Sequence, residues 1–323
     1  MKRVPEKLNK PKADPNRVVK EFNRSAAGKS MTNENNLRPP EVLLQTLHYL
    51  LHDVINDTQV SWIVKYNFIT DRLRSIRQDM VIQNTSKAYS ICLLQPIVRF
   101  HAYSAYKLCD QEISAFDPHL NNKHLQECLK RLLVIYDEIE EMLKWNSRDF
   151  NDLEFLKESR PFFEALYVVL NLGNEVALHR VLKLSHTWRT PLVKKSILIS
   201  LNYLRCNYLR ACRYIKHLPP ILLAISALHL TEIRSKALEM MSVAYNSKIL
   251  TFPLTSLKYL LLYDTEEDVI QDCRSFGLEL MNDSVRFNKN SFKKQTVKIM
   301  KKKTQFVERV LESMDESDML LFS

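Results

Sequence analysis

Residues 160–185 are RPFFEALYVVLNLGNEVALHRVLKLS. Apolar side chains recur at three- and four-residue spacing on both sides of the central Leu-Gly-Asn, which predicts two helices joined by a short turn. Such a helical hairpin is the unit that α-solenoids repeat along their length. No strict 34-residue consensus is present, so we expect any repeats in this chain to be degenerate.

Leucine-striped segments extend in both directions from this hairpin. The segment at 41–55 has one apolar stripe and predicts an amphipathic helix. A proline at position 96 is expected to kink its segment or to start a new helix there. The other segments with helical periodicity are 60–83, 86–110, 121–146 and 191–218.

Glycine is scarce, with 3 residues in 323, against a usual share of about 7%. Glycine supplies positive-φ turns and loops that approach ligands closely, so a Rossmann fold, a β-sandwich or a glycine-lined phosphate site is disfavoured. The stretch RSAAGKS at 24–30 ends like a P-loop, but the first required glycine position holds Asn23. No apolar strand precedes this stretch and prolines follow it, so a nucleotide site is not expected.

The pattern changes after Pro219-Pro220. Helices at 221–229 and 231–246 precede a helix with Thr265 as N-cap, Asp268 in the capping-box position and Gly277 as C′ residue. The stretch LELMNDSVRF then predicts a hairpin. Two helices followed by a β wing outline a winged helix, and the tail predicts one more helix with a basic start and an acidic end.

These patterns predict an all-α, helical-repeat (TPR/PCI-like) solenoid that ends in a winged-helix module with a small β wing. The expected divisions are an extended basic arm, a helical-repeat domain, a PCI-like winged-helix module and a C-terminal helical tail, at 1–38, 39–218, 219–292 and 293–323.

The net charge of +10 is concentrated at the two ends. Residues 1–30 hold nine basic residues against three acids, and residues 285–304 hold eight against none. Localised positive charge attracts polyanions such as RNA; the alternative is that basic tails only keep the chain soluble. The candidate nucleic-acid-binding residues here are Arg286, Lys289, Lys293, Lys294, Lys298, Lys301, Lys302 and Lys303.

A second basic set lies in the stretch NYLRCNYLRACRYIKH at 202–217 and comprises Arg205, Arg210, Arg213 and Lys216. Tyrosines are interleaved with it, and arginine with tyrosine can hold single-stranded RNA by charge and stacking. The alternative is that the tyrosines are core and the basic residues form a solvated face.

Signals for metal binding, catalysis and membrane insertion are weak. His48 and His52 have the spacing of a helical zinc chelate, but Tyr49 stands beside the first histidine where the metalloprotease motif has glutamate. His124 and Cys128 share that spacing, with no second pair within reach in sequence. No nucleophile motif is present. An enzymatic function would be indicated only by a deep pocket that holds titratable groups with strongly shifted pKa values. Six cysteines without a CxxC pair, no signal-peptide pattern and no apolar run of membrane length predict a soluble intracellular protein.

The stretch DRLRSIRQD at 71–79 is denser in charge than a core-facing helix usually is. It could form a partner or RNA surface. The alternative, which the balanced acids and bases favour, is that its arginines bind neighbouring carboxylates and loop carbonyls and so pin adjacent helices together.

Four stretches, in order, resemble the SAC domain family of the GANP (germinal-centre-associated nuclear protein) type. They are VVKEFNRSAAGKS, LRPPEVLLQTLHYLL, YNFITDRLRSIRQDMVIQ and IVRFHAYSAYKL. Asn67 departs from the family, which more often has aspartate there. The signature positions are Tyr66, Phe68, Asp71, Arg72, Arg74, Ile76, Arg77, Gln78, Asp79, Arg99, Phe100 and His101, with structural or partner-binding roles.

The resemblance implies a non-catalytic scaffold without cofactor, membrane or small-molecule substrate. Its implied partners are a PCI-domain protein and a small acidic proteasome-lid-type polypeptide, with RNA on a composite surface. Short family members are linked to centrosome duplication, spindle organisation and mitotic progression. Because this chain is short, we expect that role at the centrosome and spindle. The alternative is a subunit of a nuclear mRNA-export complex.

Overall fold

The computed structural model describes residues 18–24, 36–145, 150–293 and 302–322. The chain divides into two compact units, residues 1–86 and 87–323. The fold is mainly helical and carries one small sheet, as the sequence predicts. The four-part division given above stays a prediction.

The first unit is built on two helices. Helix α1 (Pro40–Tyr49) begins at the proline pair and runs into a π-turn (Leu50–Val54). Helix α2 (Trp62–Ile82) follows. Their facing leucines and isoleucines are buried, as the apolar stripe predicts. The extended segment 18–24 lies along α2, so the arm is ordered there.

The second unit begins with a run of helices that pack on their neighbours in sequence. The hairpin of the opening stretch is present and its turn has the expected chemistry. Gly173 has φ +82°, and a Cβ at this position would lie 2.6 Å from Cε1 of Tyr203. Asn174 Oδ1 accepts from Val176 N at 2.8 Å and so caps the second helix of the hairpin. The helices are α3 (Lys87–Lys107), α4 (Pro118–Trp145), α5 (Phe150–Leu170), α6 (Glu175–Lys183), α7 (Pro191–Leu204) and α8 (Tyr208–Ile215).

A buried ionic network joins α4, α5 and α6. The Arg160 guanidinium is fully buried, lies 4.7 Å from the Trp188 ring and bonds Asp137 Oδ1 at 2.6 Å. Arg180 reaches Glu164 Oε1 at 2.9 Å from the other side. Burial alone would lower the pKa of Arg180, but its two carboxylate partners outweigh burial and raise that pKa. The network satisfies charges that would otherwise be costly to bury.

One helical expectation is wrong, and one of the two alternatives at Pro96 is excluded. The segment 191–218 holds two helices, because Cys206 takes φ +57° and Asn207 Oδ1 accepts from Arg210 N at 3.3 Å, which starts α8 anew. Of the two outcomes expected at Pro96, a new helix does not begin there, since α3 continues through this residue. Helix interiors tolerate proline poorly, and here the surrounding buried packing of α3 holds the segment helical.

The module after Pro219 has the element order of a winged helix. The predicted hairpin is present as β2 and β3, and β1, which the sequence analysis missed, pairs antiparallel with β3 to give the order β1-β3-β2. The elements are α9 (Pro220–Ala227), α10 (Leu230–Ala244), β1 (Phe252–Pro253), α11 (Leu254–Leu260), α12 (Glu266–Ser275), β2 (Glu279–Met281) and β3 (Ser284–Arg286).

Helix α12 begins and ends as predicted. Thr265 Oγ1 accepts from Asp268 N at 3.1 Å, and Asp268 Oδ2 accepts from Thr265 N at 3.2 Å, which completes the capping box. Gly277 has φ +74°, and a Cβ there would lie 2.7 Å from the Ser291 carbonyl oxygen. Only glycine fits this position without strain.

The tail forms two short helices rather than one, α13 (Gln305–Glu312) and α14 (Glu316–Leu321). Asp315 Oδ1 accepts from Asp318 N at 2.9 Å and so caps α14 as a separate helix. The tail packs back on α3, where Tyr103 donates to Glu316 at 2.6 Å and Thr304 N donates to Tyr106 Oη at 3.0 Å.

Candidate functional site

The signature stretch on α2 binds the extended segment 18–24 of its own chain. Asp79, only 1% exposed, accepts from Lys20 Nζ at 2.6 Å and from Arg38 Nε at 2.8 Å. Arg38 also donates to Ser75 Oγ at 2.9 Å. One carboxylate therefore joins two cations that lie on either side of residues 25–35.

A second group of contacts holds the end of the same segment. The Phe22 amide donates to Asp71 Oδ2 at 3.2 Å, and Gln78 Nε2 donates to the Asn23 carbonyl at 2.9 Å. The Arg74 guanidinium lies 3.9 Å from the centroid of the Phe22 ring. These contacts recognise both backbone and side chain of an extended peptide, so α2 acts as its docking surface.

The other signature residues of α2 support this surface. Tyr66 is buried at 5% exposure and packs in the unit's core. Arg72 pairs with Asp71 and lies 4.8 Å from the Phe68 ring. Arg77 is half-buried. Within the first unit, the charged string thus holds an extended segment of its own chain, chiefly through the carboxylates of Asp71 and Asp79 rather than through arginines that join adjacent helices.

Arg99, Phe100 and His101 are buried in the second unit. The Arg99 guanidinium lies 5.5 and 5.2 Å from the two rings of Phe162 and Phe163, and burial lowers its pKa to about 10. It donates to the Leu321 carbonyl at 3.3 Å. His101 Nδ1 lies 2.8 Å from Asn121 Oδ1. These contacts join α3 to α4, α5 and the tail, so the string RFH stabilises the unit.

The arginines at the junction of α7 and α8 are on the surface. Arg205, Arg210 and Arg213 are exposed, and none forms an ion pair with another residue in the described ranges. Tyr208 is buried at 6% exposure and packs edge-on against Tyr203 at 5.7 Å. Tyr208 is therefore core, Tyr203 is half-buried, and Arg205, Arg210 and Arg213 are exposed.

The sequence analysis missed an exposed aromatic group that contacts Lys216, a member of the same basic set. Tyr259 on α11 is 72% exposed, and Lys216 Nζ lies 4.8 Å from its ring centroid. The pair lines an open groove of about 500 Å³ between α8, α11 and α13, together with Lys258 and Arg309. Spacing along the chain gives no signal for it, since 43 positions separate Lys216 from Tyr259.

The other predicted basic set, at residues 286–303, does not behave as one group. Arg286 binds Glu279 at 3.0 Å, and Lys303 binds Asp110 at 3.2 Å. Lys289, Lys293 and Lys302 are exposed. Lys294, Lys298 and Lys301 lie outside the described residues.

The winged module presents an acidic helix and an apolar surface. Helix α12, the position at which a helix-turn-helix protein carries its recognition helix, has four acids and the single basic residue Arg274. Phosphate is repelled by such a helix. Several large apolar side chains of this module are exposed, and we call them the wing surface: Met240, Val243, Tyr245, Ile249, Leu250 and Met281. Ile249 and Leu250 are 84% and 73% exposed.

The sequence is similar to those of known proteins over most of its length. Residues 2–282 match the SAC3/GANP family. The chain is 26% identical to SAC3 family protein 1 of Schizosaccharomyces pombe over 87% of its own length and 28% of the relative's. It is 25% identical to Protein xmas of Drosophila melanogaster, over 82% of this chain and 13% of the relative. It therefore spans less than a third of either relative.

A further relative matches a shorter part of the chain. SAC3 family protein B of Arabidopsis thaliana is 29% identical over 38% of this chain and 7% of its own length. Among the described residues, no helix has both the length and the apolar character needed to cross a bilayer.

Proposed function

The chain belongs to the SAC3/GANP family, and from that membership we propose that it is a non-enzymatic scaffold whose winged module docks a PCI-domain protein. The small acidic proteasome-lid-type polypeptide joins as a third component. The family is one of scaffold-type proteins, and the proposal assigns the contact to a particular surface of this chain.

The wing surface is the observation that carries this proposal. Exposed apolar groups gathered on one module are a common mark of protein interfaces. Ile249 and Leu250 precede the edge strand β1, and Tyr245 stacks towards Phe252 at 5.6 Å, so a partner would meet a supported surface rather than single side chains. The acidic α12 favours a protein partner over nucleic acid at this module.

The test is affinity capture from dividing cells with the pair Ile249→Glu and Leu250→Glu. We expect wild type to retain a PCI-domain protein and the charged variant to lose it. The matched control is Ile113→Glu with Val176→Glu, which charges two equally exposed apolar positions elsewhere in the second unit. Retention of the PCI-domain protein by the Ile249 and Leu250 variant would overturn the proposal.

The same capture addresses the cellular pathway. We place the scaffold first in centrosome duplication, spindle organisation and mitotic progression, as the family resemblance implies, and second in nuclear mRNA export. Co-elution of spindle-pole components supports the first assignment, and co-elution of mRNA-export factors supports the second. The docking proposal itself is independent of this outcome.

RNA is a second candidate partner, and the face of Arg205, Arg210 and Arg213 supports it. Lys216, in the same basic stretch, lies 4.8 Å from the exposed Tyr259 ring, and charge next to an open aromatic group suits a single strand. We expect Arg205→Glu, Arg210→Glu and Arg213→Glu together to weaken RNA binding. Because each phosphate contact on a single strand contributes about 0.7 to the slope of log K against log salt concentration, the loss of three contacts should reduce that slope by about 2.

The control for RNA carries the same charge change on α4, by Lys123→Glu, Lys130→Glu and Arg131→Glu, which are also exposed. It should leave the slope near that of wild type. If both triple variants reduce binding equally, the attraction is general and the α7–α8 face is not an RNA site.

A further inference from the structure

A cluster of metal-ligand groups lies on the first unit where α1 meets the π-turn. His48, His52 and Asp53 each offer a ligand atom, and these atoms all lie within 4.8 Å of one another. The two imidazole rings stack at 5.1 Å with 22° between their planes. His52 Nδ1 lies 3.3 Å from Asp53 Oδ1. In the part of the chain that the structure describes, this is the one such group of three.

The π-turn explains why Asp53 joins the histidine pair. In an α-helix, residues i and i+4 share a face, which aligns His48 with His52, but residue i+5 points away. A π-turn bonds i to i+5 and so brings residues five apart onto one face. The turn spans Leu50–Val54, so both His52 and Asp53 approach His48. The sequence alone showed only the pair.

The distances suit a transition metal. Zinc binds histidine nitrogen at about 2.0–2.1 Å and carboxylate oxygen at about 2.0–2.2 Å in tetrahedral sites, which separates two ligand atoms by about 3.4 Å. His52 and Asp53 are already at 3.3 Å. His48 needs only a side-chain rotation, which its exposed position allows.

We propose that His48, His52 and Asp53 form a zinc-class divalent metal site on the first unit. Two imidazoles and one carboxylate supply three ligands, and water fills the fourth position on the solvent side. This donor set matches that of known two-histidine, one-carboxylate zinc sites. The proposal is independent of the docking function, since the wing surface belongs to the second unit.

The test uses the full chain, freed of any affinity tag and stripped of metal, titrated with Co²⁺ as a spectroscopic probe and then with Zn²⁺. We expect wild type to give the visible absorption of four-coordinate Co²⁺ at one equivalent, displaced by Zn²⁺. His48→Ala with His52→Ala should weaken binding at least about tenfold, and Asp53→Asn should weaken it less.

The matched control is His179→Ala with His186→Ala, which removes two exposed imidazoles from the second unit. It should bind as wild type does. Thermal unfolding of the metal-free proteins checks that the variants fold, and added Zn²⁺ should raise the midpoint of wild type and control only. No four-coordinate signal in wild type, or an equal signal in the His48 and His52 variant, would overturn the proposal.

Discussion

Asp79 shows how one residue can order a segment far from it in sequence. Its buried carboxylate takes a salt bridge from Lys20, 59 positions away, and another from Arg38, 41 positions away. A buried carboxylate needs such partners to offset its lost hydration. Because Lys20 precedes residues 25–35 and Arg38 follows them, these salt bridges attach the chain on both sides of that stretch to α2.

We predict that Asp79→Asn releases the segment 18–24. The amide keeps the shape of the side chain but loses two charge-assisted bonds, each worth about 1.5–3 kcal/mol at most. Since Lys20 is about a third exposed and regains water, we expect a net loss of about 1–3 kcal/mol. Trypsin cleavage after Lys20 and Arg24, followed by mass spectrometry, should be faster, with little change in cleavage of the second unit.

Glu21→Gln is the control for this prediction, because it removes an exposed carboxylate from the segment itself. It should leave the cleavage rate near that of wild type. If Asp79→Asn protects the segment as well as wild type does, then the Phe22, Asn23 and Arg74 contacts hold it without the salt bridges.

Asp272 has the opposite kind of environment. Burial raises the pKa of this carboxyl, although Tyr263 donates to it at 2.7 Å and Arg234 lies nearby. A carboxyl whose pKa is raised by folding binds its proton more tightly in the folded protein than in the unfolded chain. Its ionisation therefore costs stability, and the cost appears as pH rises through the unfolded pKa and is complete above the folded one.

We predict that Asp272→Asn becomes more stable relative to wild type as pH rises from about 3 to about 7. The amide oxygen still accepts from Tyr263, and no charge is buried. Urea unfolding at several pH values measures the difference. A wild type that gains stability over Asp272→Asn with rising pH would show that Arg234 and Lys302 outweigh burial.

At the scale of one element, α12 depends on its first turn. We predict that Thr265→Ala lowers the free energy of unfolding by about 1 kcal/mol, since the capping oxygen at Asp268 N is lost. Thr265→Ser keeps that oxygen and should cost only a few tenths of this. Chemical denaturation compares the three proteins, and equal loss in both variants would mean that the threonine methyl, not the cap, matters.

The existence of most helices could be predicted from sequence, but their breaks could not. Apolar periodicity identifies the buried face of a helical segment but not a break within it, so the sequence predicted one continuous helix over 191–218. Asn207 could either cap a new helix or lie inside a continuous one, and its sequence context does not distinguish the two; tertiary packing favours the cap. The same holds for the two-residue β1, whose pairing with β3 depends on a partner more than 30 positions away.

The candidate site was predictable in composition and not in geometry. The charge of DRLRSIRQD showed that α2 must bind something polar, yet nothing in its spacing pointed to Lys20 and Arg38. The π-turn gave no periodic signal either, so Asp53 could not be placed beside His48. By contrast, the Gly277 and Thr265 signals are local, and local chemistry is what a sequence shows directly.

Across the whole molecule, some basic residues form ion pairs within the fold and others are exposed to solvent. The body from 31 to 284 is neutral by sequence, and part of the C-terminal excess is paired within the fold, as Lys303 with Asp110 shows. The arginines of the α7–α8 junction are the described basic residues best placed for another molecule. Tests of polyanion binding should therefore compare faces rather than total charge.

The tail 302–322 contributes to the fold of the second unit rather than extending from it. Tyr103 and Lys107 both bind Glu316, and Met319 and Leu320 are at most 1% exposed. Each such apolar side chain contributes about 1.5–3 kcal/mol when fully buried. With Val307 and Leu311 also buried, burial of these four side chains contributes on the order of 6 kcal/mol, from which the conformational entropy lost on ordering the tail is subtracted.

We predict that a chain ending at residue 301 loses protection along α3. Hydrogen exchange should speed up over 99–107, where Arg99, Tyr103 and Tyr106 lose their partners. Helix α7 makes none of these bonds and serves as the internal control. Glu316→Gln, compared with the exposed Glu312→Gln, should give a smaller effect of the same sign. If α3 exchanges as slowly in the shortened chain as in the full one, the tail covers α3 without stabilising it.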